Sequence, residues 1–178
     1  QFFMFSTEAQ LPTVNVTTNI NPSNGYTFLA NFWTGTAGKY YLLILDKQGR
    51  TIYAKSFPFG INGGFLDFKP QPNNKYSFFS GKQSRYYIMD SMFNIINTVV
   101  AKNGYTTNNH ELVISNDNRY YIIADETRTI DMSLIVSGGD SNAQVIGSII
   151  QGIDANDSLI FEWKALDQIS ITDHVGDL

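Results

Sequence analysis

One plan recurs three times along the chain, and it limits the fold more than any other feature. An apolar strand ends on an aspartate in Tyr40-Tyr41-Leu42-Leu43-Ile44-Leu45-Asp46, in Tyr86-Tyr87-Ile88-Met89-Asp90 and, more loosely, in Ile149-Ile150-Gln151-Gly152-Ile153-Asp154. A short polar turn follows each aspartate, and then another strand-like run: residues 51–57, 95–101 and 159–166. Upstream of each unit lies an aromatic strand, Tyr26-Thr27-Phe28-Leu29-Ala30, Tyr76-Ser77-Phe78-Phe79-Ser80 or Tyr120-Tyr121-Ile122-Ile123-Ala124. Each of these follows a turn rich in Asn or Gly, residues suited to the positive φ that tight hairpins demand.

The first two aspartates are 44 residues apart and the third is 64 further on, so the third repeat carries extra chain. That excess falls around residues 128–142, with Gly138-Gly139 inside, and reads as a loop or an added hairpin. Four short antiparallel strands in roughly 45 residues is the blade of a β-propeller. A β-sandwich or barrel also alternates strands and turns, but it does not require aligned positions to repeat. The expectation is therefore all-β: about three propeller blades of four antiparallel strands, near residues 14–60, 61–104 and 105–170, after a lead-in at residues 1–13. Propellers close with about four to eight blades, so three predict half of a six-bladed ring. The remaining blades then come from a longer chain or from another subunit.

Composition agrees with a β fold. Aromatic residues make up 14% of the chain and charged residues only 16%, well under the globular average of roughly 25%. A net charge of −4 argues against a nucleic-acid partner, which calls for a clustered basic surface. With no cysteine there is no disulfide, thiolate nucleophile or zinc ribbon. No apolar run reaches the roughly 18 residues needed to span a bilayer. The two histidines have no ligand spacing, and no loop concentrates oxygens for calcium, so neither metal nor cofactor is expected. Asp46, Asp90 and Asp154 are better explained by Asx-turn hydrogen bonds.

Three stretches carry a family resemblance: Leu66-Asp67-Phe68-Lys69-Pro70-Gln71, Asn109-His110-Glu111-Leu112, and Ile153-Asp154 through Phe161-Glu162-Trp163. In order and spacing they resemble the N-terminal half of the arylsulfotransferase family. Asn108 and Leu112 depart from the family pattern, which more often has Asp and Phe there. The resemblance implies a six-bladed propeller acting in the periplasm, at the cell surface or outside the cell. It also implies transfer of a sulfuryl group between phenolic compounds through a sulfated histidine, with a phenolic sulfate as ligand and no nucleotide donor. The family's nucleophile lies beyond the matched region, so this segment is expected to be inactive alone. The runner-up reading is a secreted, non-catalytic propeller that binds a ligand or a protein partner.

Among single residues, His110 is the sharpest candidate. At the opening of an innermost strand it would face the channel and stabilise charge on sulfuryl oxygens, supporting catalysis without being the nucleophile. The competing reading is a histidine hydrogen-bonded in the core between blades. Arg128 and Lys69 are candidate anion clamps for the sulfate; Arg128 would alternatively bridge carboxylates at the base of the insertion. His174, between Asp173 and Val175, reads as a loop residue.

Overall fold

The computed structural model describes residues 13–31, 40–55 and 64–173. They form three antiparallel sheets. The first holds β1 (Thr27–Ala30), β2 (Leu42–Leu45) and β3 (Thr51–Lys55). The second holds β4 (Phe65–Gln71), β5 (Lys75–Ser80), β6 (Arg85–Met89) and β7 (Ile95–Val99). The third holds β8 (Thr106–Ile114), β9 (Tyr120–Ile130), β10 (Ala143–Ile153) and β11 (Leu159–Lys164). Within each sheet the strands pair in chain order.

The repeated aspartates build the same turn three times. Asp46 Oδ1 accepts the N–H groups of Gln48 and Arg50 at 2.9 Å each, and Asp90 Oδ1 those of Met92 and Asn94 at 2.9 Å each. Asp154 Oδ1 accepts from Asn156 at 2.9 Å and from Ser158 at 2.8 Å. Pairing register shifts by one residue just before each turn, at Ile44/Leu45, Ile88/Met89 and Gly152/Ile153. The left-handed position that closes such a bulged turn is filled by Gly49 (φ 78°), Phe93 (φ 61°) and Asp157 (φ 64°). In the second and third turns the side-chain acceptor holds the geometry without a glycine at that position. Between β8 and β9 a serine does the same work, Ser115 Oγ accepting the Arg119 N–H at 3.0 Å.

The sheets stack in chain order around two cores. Tyr40, Leu42 and Ile44 of the first sheet pack on Phe65, Phe68, Phe78, Tyr87 and Met89 of the second. The opposite face of the second sheet offers Phe79, Tyr86, Ile88 and Val99 to Leu112, Ile114, Tyr120, Ile122 and Ile153 of the third. Because side chains alternate along a strand, Tyr86 serves one core and Tyr87 the other. β1 lies against β4, and β4 against β8.

Three details differ from the sequence expectation. The first sheet has three strands among the described residues, since residues 13–26 lie over the β2–β3 turn instead of pairing. Asn19 Nδ2 donates to the Lys47 carbonyl at 3.1 Å there, and Val16 sits so close to Gly49 that any Cβ would collide with it. In the third sheet the extra residues lengthen one hairpin: β9 and β10 pair continuously from Tyr120↔Ile153 to Ile130↔Ala143, with a short 3-10 turn at Met132–Leu134 in the tip. The last strand stops at Lys164, and Ala165–Gln168, all tolerable helix formers, coil into one helical turn, α1.

Candidate functional site

Strands β4 and β8 lie next to one another, and each breaks its ladder at the same relative place. In β4 the pairing jumps from Leu66↔Phe79 to Lys69↔Ser77, leaving Asp67 and Phe68 opposite one residue. In β8 it jumps from Thr107↔Ala124 to Leu112↔Ile122, so residues 108–111 bow out opposite Ile123. Bulges re-aim side chains away from the regular alternation: the one in β8 exposes His110 and Glu111, while the one in β4 sends Phe68 into the core and leaves Asp67 mostly buried. Asp67 adopts φ 49°, a left-handed conformation that aspartate tolerates better than most residues.

His110 therefore sits within β8, in its bulge, and not at the strand's opening. Its ring is exposed, clear of both apolar cores. Asn108, two residues earlier, holds it from below. Asn108 Oδ1 accepts the His110 main-chain N–H at 3.0 Å and contacts His110 Nδ1 at 2.6 Å. The other end of the same amide donates from Nδ2 to both carboxylate oxygens of Asp125, at 3.0 and 2.8 Å. Turning the amide over would set its oxygen against a carboxylate, so this network fixes its orientation. The Oδ1 atom can only accept. Nδ1 of the histidine must then carry a proton, and in the neutral ring Nε2 keeps its lone pair.

The residue beside His110, Glu111, forms an ion pair with Lys69, which also meets Asp67 Oδ2 at 3.0 Å. The two bulges are thereby pinned to each other through one ammonium. Burial pushes the Asp67 carboxyl above its ordinary range; Lys69 opposes this, and Glu111 adds to it. Beneath them Tyr86 is fully buried, its phenol raised first by burial and then by the carboxylates of Asp67 and Glu111. Neither Tyr86 Oη nor Asp67 Oδ2 has a well-formed hydrogen bond.

The structure does not bring Arg128 into this group. It lies on β9 beyond the last residue paired with β8, where Nη2 meets Glu126 at 2.8 Å and Nη1 meets Asp167 of α1 at 2.6 Å. Those two hydrogen bonds, Asp167 foremost, hold its guanidinium firmly charged. The arginine clamps the base of the long hairpin to α1, the alternative its neighbouring carboxylates had suggested. His174 lies outside the described residues.

Asp125, Asp67 and Tyr86 escaped the sequence reading. Asn108 and His110 stand two apart, which in a strand means one face, but nothing in the sequence announces that a bulge would tie them to an aspartate on the next strand. No protein-family model matches the chain, and no curated protein matches it. Among the described residues no helix is long and apolar enough to cross a membrane.

Proposed function

We propose that the three sheets are blades of a β-propeller and that the chain is part of an arylsulfotransferase-like protein acting outside the cytoplasm. The propeller reading is supported by the threefold turn, by stacking in chain order, and by the adjacency of β4 and β8, which become innermost strands. The observation that carries the site is the exposed His110, set on a bulge of such a strand and held by Asn108. In this reading His110 assists transfer of a sulfuryl group between phenolic compounds, while the histidine that carries the group lies on other blades.

The test is an assay with 4-nitrophenyl sulfate as donor and phenol as acceptor, read by release of 4-nitrophenolate. The product of the complete gene should turn over, and His110→Asn should slow it at least tenfold. The 178-residue chain alone should not turn over. A complete gene product that releases no nitrophenolate sinks the enzyme reading.

One observation favours the non-catalytic alternative. Lys69 and Arg128, the two cations that were to clamp sulfate, are both already held by carboxylates. An anion would have to displace them. A propeller that binds an uncharged ligand meets no such obstacle.

A further inference from the structure

We infer that the free edge of β10 is a docking site for an extended apolar peptide of another protein, which adds to the third sheet as a strand in line with β11. The site does not depend on the sulfotransferase reading. It starts from a mismatch in strand length. β10 pairs with β9 along its whole length, from Ala143 to Ile153, but β11 covers its other side only from Ile149 to Ile153. Among the described residues, no strand takes up that side of residues 143–148. Six residues make a strand of ordinary length, and their outward N–H and C=O groups are a template for another chain.

A slot runs along this edge. Its volume is about 520 Å³, and every residue from Gln144 to Ser148 lines it. Successive side chains of a strand point to opposite faces, so a wall of five consecutive residues is the edge of the strand and not one of its faces. The far wall includes Leu166, Ile169 and Ile171, where the chain leaves β11 through α1 and a 3-10 turn, Ile171–Asp173. α1 is held there by Leu166, which lies so close to Gly147 that any Cβ would collide with it, and by the pairing of Asp167 with Arg128. A second copy is the poorer occupant, because its own β10 edge carries an α1 where this chain's α1 already stands. A single extended peptide fits between the walls. Its main chain pairs with β10, while its side chains meet Ile146 on one face and Val145 on the other. Among the described residues lining the slot, Asp173 is the one ionisable group, so lysine flanks suit the peptide better than glutamate.

The probe is the labelled peptide Lys-Ser-Val-Ile-Val-Ser-Lys with blocked ends, titrated into the 178-residue chain and read by fluorescence anisotropy, with amide hydrogen exchange in parallel. Binding should saturate, and the alternate amides of residues 143–148 that do not face β9 should exchange at least tenfold more slowly with peptide present. Lys-Ser-Val-Pro-Pro-Ser-Lys should bind at least tenfold more weakly, because one of two successive prolines must face β10 without a donor. Glutamate in place of both lysines should also weaken binding. Ile146→Asn and Ile169→Asn, at positions 71% and 51% exposed, should each weaken it about tenfold and leave the unfolding midpoint in place. A chain that does not bind the peptide, or binds the proline peptide equally well, overturns the inference. So do edge amides already protected in the free chain, which mean that the chain fills its own slot. A dimer in sedimentation velocity that Ile146→Asn dissolves would give the edge to a second copy instead.

Discussion

The side-chain amide of Gln71 lies against the main chain of Ile114 as a further strand would, Oε1 accepting the Ile114 N–H at 3.1 Å while Nε2 donates to the Leu112 carbonyl at 2.9 Å. Gln71 ends β4, and Leu112 and Ile114 belong to β8, so one amide joins the second sheet to the third. Gln151, fully buried in β10, makes the matching joint with Lys102, accepting its N–H at 2.7 Å and donating to its carbonyl at 3.3 Å. Replacing Gln71 by Leu keeps the volume but leaves a buried N–H and C=O unpaired, which costs roughly 1–3 kcal/mol for each group stranded. Gln71→Leu should therefore lower the unfolding free energy by about 2 kcal/mol or more in urea titration, and Gln71→Glu at acid pH should recover part of it. An unchanged midpoint for the leucine variant would show that the joint is dispensable.

The turn aspartates give a pH dependence with a definite sign. Hydrogen bonds from the Asn94 main chain and then its side chain hold the Asp90 carboxyl below its ordinary value, with partial desolvation opposing them. A carboxyl depressed in the folded state contributes stability that is present above its unfolded pKa and lost as pH falls through the folded one. Asp90→Asn retains an oxygen able to accept from Met92 and Asn94 but cannot titrate. The wild type should lose stability on acidification by more than this variant, and thermal unfolding at pH 7 and at pH 3 measures the difference. Identical acid losses in both proteins would remove Asp90 from the list of contributing groups.

These aspartates also show how much of the molecule was legible beforehand. Turns and strand order can be read locally: Asp46, Asp90 and Asp154 each act within four residues of themselves, so their spacing alone announced the repeat. Bulges depend on what lies across the ladder. Asp67 and Asn108 look like ordinary strand positions until the neighbouring sheet brings Glu111 to the lysine that Asp67 shares, and the next strand of its own sheet brings Asp125 to Asn108. Phe93 is a sharper case. Its position favours glycine or asparagine, yet its ring lies stacked between Tyr53 at 4.0 Å and Tyr76 at 4.6 Å, uniting two sheets through a strained turn. The second partner of Arg128 was hidden for a related reason, because Asp167 reaches it from a helical turn 39 positions away in the chain.

Asp67 predicts the opposite pH behaviour. Burial first, then Glu111, raises its folded carboxyl, so the folded state binds the proton more readily than the unfolded chain does. The charged form costs stability at neutral pH, and that cost disappears as pH falls through the raised value. Asp67→Asn removes the charge while keeping a residue that accepts φ 49°. The variant should melt a few degrees higher than wild type at pH 7, and the advantage should vanish near pH 3, where both side chains are neutral. A variant that is less stable at pH 7 would mean that the pairing with Lys69 outweighs the cost of burial.

The outer face of the third sheet makes the last prediction. In the first two sheets the residues two and four places before the turn aspartate, Ile44 and Leu42, then Ile88 and Tyr86, are buried beneath the following sheet. The corresponding residues before Asp154 are Gly152 and Ile150, and Ile150 is 41% exposed. Across the ladder it pairs with Ile123 and Trp163, and the next row runs Val113, Tyr121, Gly152, Phe161. Val113 and Phe161 are also exposed, at 47% and 48%, and the aromatic rings of Tyr121 and Trp163 between them are half-buried, so this face of the sheet presents apolar side chains to solvent. Exposed apolar side chains grouped in this way drive association. The 178-residue chain should therefore self-associate at moderate concentration and bind a hydrophobic dye, and Ile150→Lys with Phe161→Lys should reduce both while leaving the unfolding midpoint within a few degrees. Leu42→Lys, at the equivalent position of the first sheet but fully buried, should instead abolish folding, since an unpaired charge in a core costs several kcal/mol. Sedimentation velocity and dye fluorescence read the first pair, and circular dichroism the second. Equal loss of structure in both would show that the third sheet is covered in solution after all.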